Sequence, residues 1–420
     1  MSGFRRVVKQ VLFAVLALAL TCSTLTGCSS GGPETVRFYI SKPEAIAYFR
    51  ALVQTYNDSQ DKVRVVMDTS TNLQAAFLRG NPPDLGLLNY NMEMARFMER
   101  GALSDLSDTP EAQRIRPELT ALVDQYATYP GRTSVLPYSV MAASVIYNKQ
   151  IFAEHGLAVP QTWDELIAVC NALEAAGITP FEATFKEPWT IGQGWFDYAV
   201  GGRIDVADFF TGLRTEGTEL GPDSAVSFQR TLAGPVDQML QLTSNYVNPD
   251  AASRSYGDGN LAFARGQAAM YLQGPWAFGE IAKTAPDLDL GTFPLPMTDD
   301  PADLRVRVNL DLAAWIPQAS KHQAAAREFL AYLFRPEVMD DYNAAQLGFG
   351  TTVDAAPVSD PRILGMKDYY DAARFYQGAS VAVPQTIPTF NYLQGIVLGD
   401  DPAATLATID ADWARLAYRQ

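Results

Sequence analysis

Thr35-Val36-Arg37-Phe38-Tyr39-Ile40, Val63-Arg64-Val65-Val66-Met67 and Asp84-Leu85-Gly86-Leu87-Leu88 decide the fold class. The first two are short runs rich in β-branched and aromatic residues, the composition of a strand, and the third is a short apolar run bounded by a turn. Between the first two, Ile46, Phe49, Leu52, Val53 and Tyr56 fall at helical spacing; between the second and third, Leu73, Ala76 and Phe77 mark another helix. Gly80-Asn81-Pro82-Pro83 turns the chain into the third run, and a further helix ends near Arg100 with Gly101 as its cap. Strand–helix alternation of this kind predicts an α/β chain with a mostly parallel sheet covered by helices.

Working outward, a second unit starts near Ser144 with a strand at 145–147. Thr162-Trp163-Asp164-Glu165 reads as a capping box, and its helix runs to about Ala176 and stops at Gly177. A polar, Gly-rich stretch covers 192–221. Residues 269–272 read as a strand leading into a helix over 274–283; 291–296 is extended, 321–333 amphipathic, and 403–418 a closing helix.

Upstream, Arg5, Arg6 and Lys9 precede an unbroken apolar run over 11–20, the layout of a secretory leader. Ten residues rise only about 15 Å as a helix, against a hydrocarbon core of about 30 Å, so the run is too short for a permanent span. Leu25-Thr26-Gly27-Cys28 resembles the bacterial lipoprotein signal, which implies that 1–27 is removed and Cys28 becomes the lipidated first residue. More than one acyl chain on Cys28 would anchor firmly where a single chain binds only marginally. Ser29-Ser30-Gly31-Gly32-Pro33-Glu34 then forms a flexible linker, so 28–34 is a tether.

The expected mature chain, Cys28 to Gln420, is too long for one ordinary core and suggests two domains. With 48% hydrophobic and 19% charged residues it is globular in composition. The whole chain carries −15; the leader holds three basic residues and no acid, which leaves the mature part at −18. Such a surface repels nucleic acid and anionic lipid and argues against either as a direct ligand. Cys170 is the one cysteine downstream of the lipid site, and in its helical pattern it reads as a buried apolar side chain.

Catalytic and metal chemistry find little support. The two histidines, His155 and His322, stand in polar contexts and read as surface residues. There is no His-Glu-x-x-His, Cys-x-x-Cys, Gly-x-Ser-x-Gly or Walker loop, the spacings that nucleophilic, metal and phosphate chemistry use. Asp299-Asp300, Asp340-Asp341 and Asp400-Asp401 read as solvated charge at turns. The chain does place aromatics at turns: Glu187-Pro188-Trp189, and Gly274-Pro275-Trp276-Ala277-Phe278 directly after a strand. Ligands of α/β folds bind at that edge, and an indole face suits the apolar face of a pyranose.

Four stretches resemble the extracellular solute-binding proteins of bacterial ABC importers, in their carbohydrate-binding, maltose-binding-protein-like branch. They are Leu136-Pro137-Tyr138 through Val145-Ile146-Tyr147-Asn148-Lys149; Pro160-Gln161-Thr162-Trp163-Asp164-Glu165-Leu166 with Ala176-Gly177-Ile178-Thr179-Pro180; Phe263-Ala264-Arg265-Gly266-Gln267-Ala268-Ala269-Met270 running into Gly274-Pro275-Trp276; and Ala326-Arg327-Glu328-Phe329-Leu330 with Pro336-Glu337. The third is the most specific. The resemblance implies a two-lobed α/β periplasmic-binding-protein-like fold of type II, with lobes 35–140 plus 294–340 and 141–293 plus 341–420, and hinges at 138–143 and 293–296. It implies a carbohydrate ligand in the inter-lobe cleft, membrane permease subunits with a cytoplasmic ATPase as partners, and a monomer at the extracytoplasmic face. It implies no catalysis, cofactor or metal.

Carried onto this chain, the resemblance makes Trp276 the sugar-stacking tryptophan and Glu187 and Trp189 an acid and an aromatic facing the sugar. It places Asn89, Tyr90 and Asn91 on a contact loop and adds Ser41, Tyr138, Asn309, Asp311, Phe349 and Asn391 as ligand contacts. Two positions depart from maltose binders: Met141 stands where they carry an acid, and Asn391, beside Phe390 and Tyr392, where they carry a second tryptophan. A non-sugar solute such as glycerol phosphate or a polyamine is the alternative; a phosphate would want Arg or Lys in the cleft, which the candidate set lacks.

Overall fold

Among the described residues, nine strands form one continuous sheet. The computed structural model describes residues 32–125 and 129–417; the leader, Cys28 and residues 29–31 of the tether lie outside the described residues. Strand β1 (Glu34–Tyr39) pairs in parallel with β2 (Val63–Asp68) and β3 (Leu85–Leu88). The helix Pro43–Ser59 buries Ala45, Phe49, Val53 and Tyr56, close to the predicted stripe. β4 (Leu136–Asn148), β5 (Thr179–Glu182), β6 (Ala268–Gln273), β7 (Leu290–Phe293), β8 (Val306–Trp315) and β9 (Phe375–Gln377) complete the strands, in the order β2-β1-β3-β8-β4-β6-β5, with β7 on β4 and β9 on β8.

The expected mostly parallel sheet is mixed. β1–β2, β1–β3, β5–β6 and β8–β9 are parallel; β3–β8, β4–β6, β4–β7 and β4–β8 are antiparallel. The reason is the path of the chain: β4 leaves the first lobe and β8 returns to it, so the two run in opposite directions side by side. Along β4, Leu136 to Ala143 pair with β8, while Ser144 to Asn148 pair with β6 and β7. The register slips between Pro137 and Val140, next to a proline that has no N–H to give the ladder.

Two cores flank this crossing. Phe38, Phe49, Leu85, Leu312 and Phe329 belong to one; Phe181, Trp195, Phe196, Phe228 and Trp413 to the other. Trp276 is partly buried against both. Tyr342, Leu347 and Phe349, assigned to the second lobe from sequence, pack in the first core with Tyr138 and Phe334. The stretch over 192–221, which reads as polar and Gly-rich, is largely helical: the π-helical Ile191–Phe196, then Asp197–Gly201 and Val206–Glu216. Its Trp195, Phe196, Tyr198, Phe209 and Phe210 supply the burial that composition obscures. Thr162 Oγ1 accepts the Glu165 N–H at 3.2 Å, while the Glu165 carboxylate takes the N–H of Gln161, at 2.7 Å, rather than that of Thr162. Cys170 is fully buried, and burial pushes its thiol up to about 12.

Gly86 sits opposite Trp315 in the β3–β8 pairing, and a Cβ there would lie 2.1 Å from Cζ2 of that buried indole. Gly86→Ala is therefore expected to cost about 1–3 kcal/mol by overpacking, read as a lower urea midpoint; an unchanged midpoint would show that Trp315 can move aside.

Candidate functional site

Residues at strand C-termini converge on one cleft of about 1010 Å³ between the lobes. That is the upper end of the usual range for small-molecule sites, roughly 300–1,000 Å³. Lys42 and Glu44 follow β1, Asn89 to Glu93 follow β3, and Trp276 and Glu280 follow β6. Asn309, Leu310 and Asp311 of β8 also line it. Trp189, Gln193, Tyr256 and residues of the segment from Ser380 to Asn391 complete the lining.

Each aromatic is held by a local device. The indole of Trp276 folds back over Gly274, where a Cβ would come within 2.2 Å of its ring, and Nε1 donates to Gln273 Oε1 at 3.0 Å. Trp189 meets Tyr256 edge to face, ring centroids 5.2 Å apart. The Tyr256 N–H, at the start of the helix Tyr256–Ala264, donates to Glu187 Oε2 at 2.9 Å. Burial pushes the Tyr256 phenol up to about 12; the neighbouring Asn260 amide opposes this, and the carboxylates of Glu280 and Glu44 reinforce it. Phe390 lies over Gly192, where a Cβ would meet its ring at 2.2 Å.

The polar side of the cleft is built around Asp311. Its carboxylate is 4% exposed, accepts from Lys42 Nζ at 2.5 and 2.6 Å, and receives Asn89 Nδ2 at 3.3 Å. Burial raises its carboxyl above the ordinary range and the Lys42 ammonium opposes that shift. Asn91 caps the helix Met92–Glu99, its Oδ1 accepting the N–H groups of Glu93 and Met94.

Of the sequence-predicted site residues, Asn89, Tyr90, Trp189, Trp276, Asn309, Asp311 and Asn391 line the cleft. Tyr90 is nearly fully buried and its hydroxyl donates to the Val123 carbonyl, so little of it is offered to a ligand. Ser41 is half-buried and Glu187 stands behind the wall, holding Tyr256. Tyr138 and Phe349 are core side chains: Tyr138 packs with Phe49, Phe334 and Tyr342, and Phe349 on Tyr370 at 4.5 Å. Sequence reasoning missed Lys42, Glu44, Glu93, Gln193, Tyr256 and Glu280. Tyr256 could have been found: Ser255 starts a helix there and caps it, accepting from the Asp258 N–H. Among the described residues no group of three or more His, Cys, Asp or Glu could hold a metal ion, and no helix is long and apolar enough to cross a membrane.

A cleft at strand ends between two lobes joined by crossing strands defines a solute-binding architecture. The family model for bacterial extracellular solute-binding proteins matches residues 40–340, and the chain belongs to this family. The multiple sugar-binding protein of Streptococcus mutans is 26% identical over 342 residues, 77% of this chain and 75% of that one. The diacetylchitobiose binding protein DasA of Streptomyces coelicolor is 29% identical over 293 residues, 66% of this chain and 60% of that protein. Among solved structures, apo RafE from Streptococcus pneumoniae superposes with a TM-score of 0.78 at 23% identity, covering 93% of this chain and 99% of that one. RafE in complex with raffinose gives 0.74 at 23%, covering 91% and 99%. These likenesses carry the two-lobed α/β fold.

Proposed function

We propose that this chain is the solute-capturing component of an ABC importer for a sugar or oligosaccharide, held at the extracytoplasmic face by acyl chains on Cys28. The observation that carries this reading is the cleft itself: Trp189, Tyr256 and Trp276 line the same space as the Lys42–Asp311–Asn89 polar cluster. Stacking faces and fixed polar groups are what a polyol ring requires. The names of the Streptococcus and Streptomyces relatives support a saccharide. A ligand touching both walls shifts an open–closed equilibrium by its differential affinity, with β4 and β8 as the crossing about which the lobes turn. The closed monomer then docks on permease subunits, and no reaction is performed on the sugar.

A thermal-shift panel including raffinose and diacetylchitobiose should yield at least one stabilising saccharide; native mass spectrometry of the freshly purified protein would identify a carried ligand. A full panel without shift or heat would sink the reading. For the saccharide that binds, Trp276→Ala should weaken affinity by about 1–3 kcal/mol, the scale of losing one buried aromatic contact. Affinity unchanged by that substitution would remove Trp276 from the site. Incorporation of labelled palmitate, lost in Cys28→Ala, checks the anchor.

A further inference from the structure

The ionisable groups that line the cleft are unequal in sign. Among the described residues that line it, four carry carboxylates, Glu44, Glu93, Glu280 and Asp311, one carries an amine, Lys42, and none is an arginine. The amine is already spent on carboxylates: Lys42 Nζ lies 2.5 Å from Asp311 and 3.6 Å from Glu44. Its side chain is only 9% exposed, so an incoming anion would have to break that pair to use it. At the rim, Lys283 pairs with Glu280 at 2.7 Å, its side chain 69% exposed and turned to solvent. Glu44 follows β1, Glu93 follows β3 and Glu280 follows β6, so these carboxylates reach the same space from three strand ends and surround whatever lies between. The apolar partners in the same space are the faces of Trp189, Tyr256 and Trp276, whose quadrupoles also attract cations and repel anions. Low-dielectric walls focus such a field within the cleft.

Resting on the saccharide reading, we infer that the cleft selects its solute by charge: neutral and amine-bearing saccharides enter, whereas uronic acids and sugar phosphates are turned away. Lys42, the cation a phosphate or carboxylate would need, serves instead to hold Asp311 as a hydroxyl acceptor.

The test reads the cleft field without needing the solute. Quenching of tryptophan fluorescence by caesium, iodide and acrylamide compares a cation, an anion and a neutral probe at Trp276 and Trp189. At low salt, caesium should quench at least about threefold more efficiently than iodide once each is normalised to acrylamide. Trp276→Phe with Trp189→Phe should remove most of that preference, and so should Glu44→Gln with Glu93→Gln and Glu280→Gln, all exposed or half-exposed positions whose folding is checked by melting temperature. Equal quenching by the two ions, or a preference that survives the three glutamine changes and so belongs to the acidic surface at large, overturns the inference. With raffinose, chitosan disaccharide and digalacturonate offered in turn, the anionic sugar should give the smallest thermal shift; a largest shift from digalacturonate overturns the charge rule while leaving the saccharide reading intact. A panel in which no sugar binds overturns that reading instead, and the ion quenching still decides the charge rule.

Discussion

Arg307→Met is expected to lower the free energy of unfolding by about 3–5 kcal/mol, the scale of removing one partner from a buried ion pair. Arg307 of β8 and Asp197 of the helix Asp197–Gly201 are both fully buried. The guanidinium donates through Nε and Nη2 to Asp197 Oδ2 at 2.9 and 2.7 Å. Ser380 adds its N–H at 2.7 Å and its hydroxyl at 2.9 Å. Gly378 makes room for the cluster, since a Cβ there would lie 2.0 Å from Asp197 Oδ2. Methionine restores the volume of the arginine stem but leaves the carboxylate buried with Ser380 alone. The double change Arg307→Met with Asp197→Leu removes both charges and should recover much of the loss. Urea unfolding of both variants is the measurement; a double variant as unstable as the single one would assign the loss to packing rather than to charge. The consequence reaches the cleft, because Ser380 lines it and Arg307 stands two residues before Asn309 on the same strand.

Stability should also fall as pH rises from about 5 to about 8, and Glu182→Gln should flatten that fall. Glu182, at the end of β5, is 1% exposed, and burial pushes its carboxyl up to about 7; Arg254, 3.4 Å away without a hydrogen bond, opposes the shift, and Asp250 adds to it. The folded value lies above the unfolded one, so the folded state holds this proton more tightly. The stabilisation is complete below the ordinary value of 4.5 and is lost as pH climbs through 7. A shift of this size corresponds to at most about 3 kcal/mol. Glutamine keeps the shape without the charge. Denaturant midpoints across this range provide the check, and a wild-type profile as flat as that of the variant would show that Glu182 stays paired and ionised.

Much of the site was legible because turns at strand ends announce themselves. Gly274-Pro275-Trp276 after an apolar run reads as a strand followed by a helix start, and the indole lines the cleft. Asn89 and Asn91 follow the third strand in the same way. The acid that serves the site was harder to read. The family resemblance makes Glu187 a ligand contact, yet its carboxylate is used by the Tyr256 N–H, 69 positions away. The same resemblance makes Tyr138 and Phe349 contacts, but an aromatic in an extended segment reads the same whether it faces a cleft or a core.

The α/β class, the aromatic turns that line the cleft and the acidic character of the chain could be read directly from the residues, because they depend on periodicity, turn chemistry and composition. Folding in three dimensions adds that half of the strand pairings among the described residues are antiparallel, that Lys42 is neutralised by Asp311, 269 residues away, and that Tyr256 lines the cleft with Trp189 and Trp276. The physical reason is the same in each case. Periodicity and turn signals act within a few residues along the chain, whereas pairing direction, ion pairing and ring contacts are set by which distant segments the crossing strands bring together.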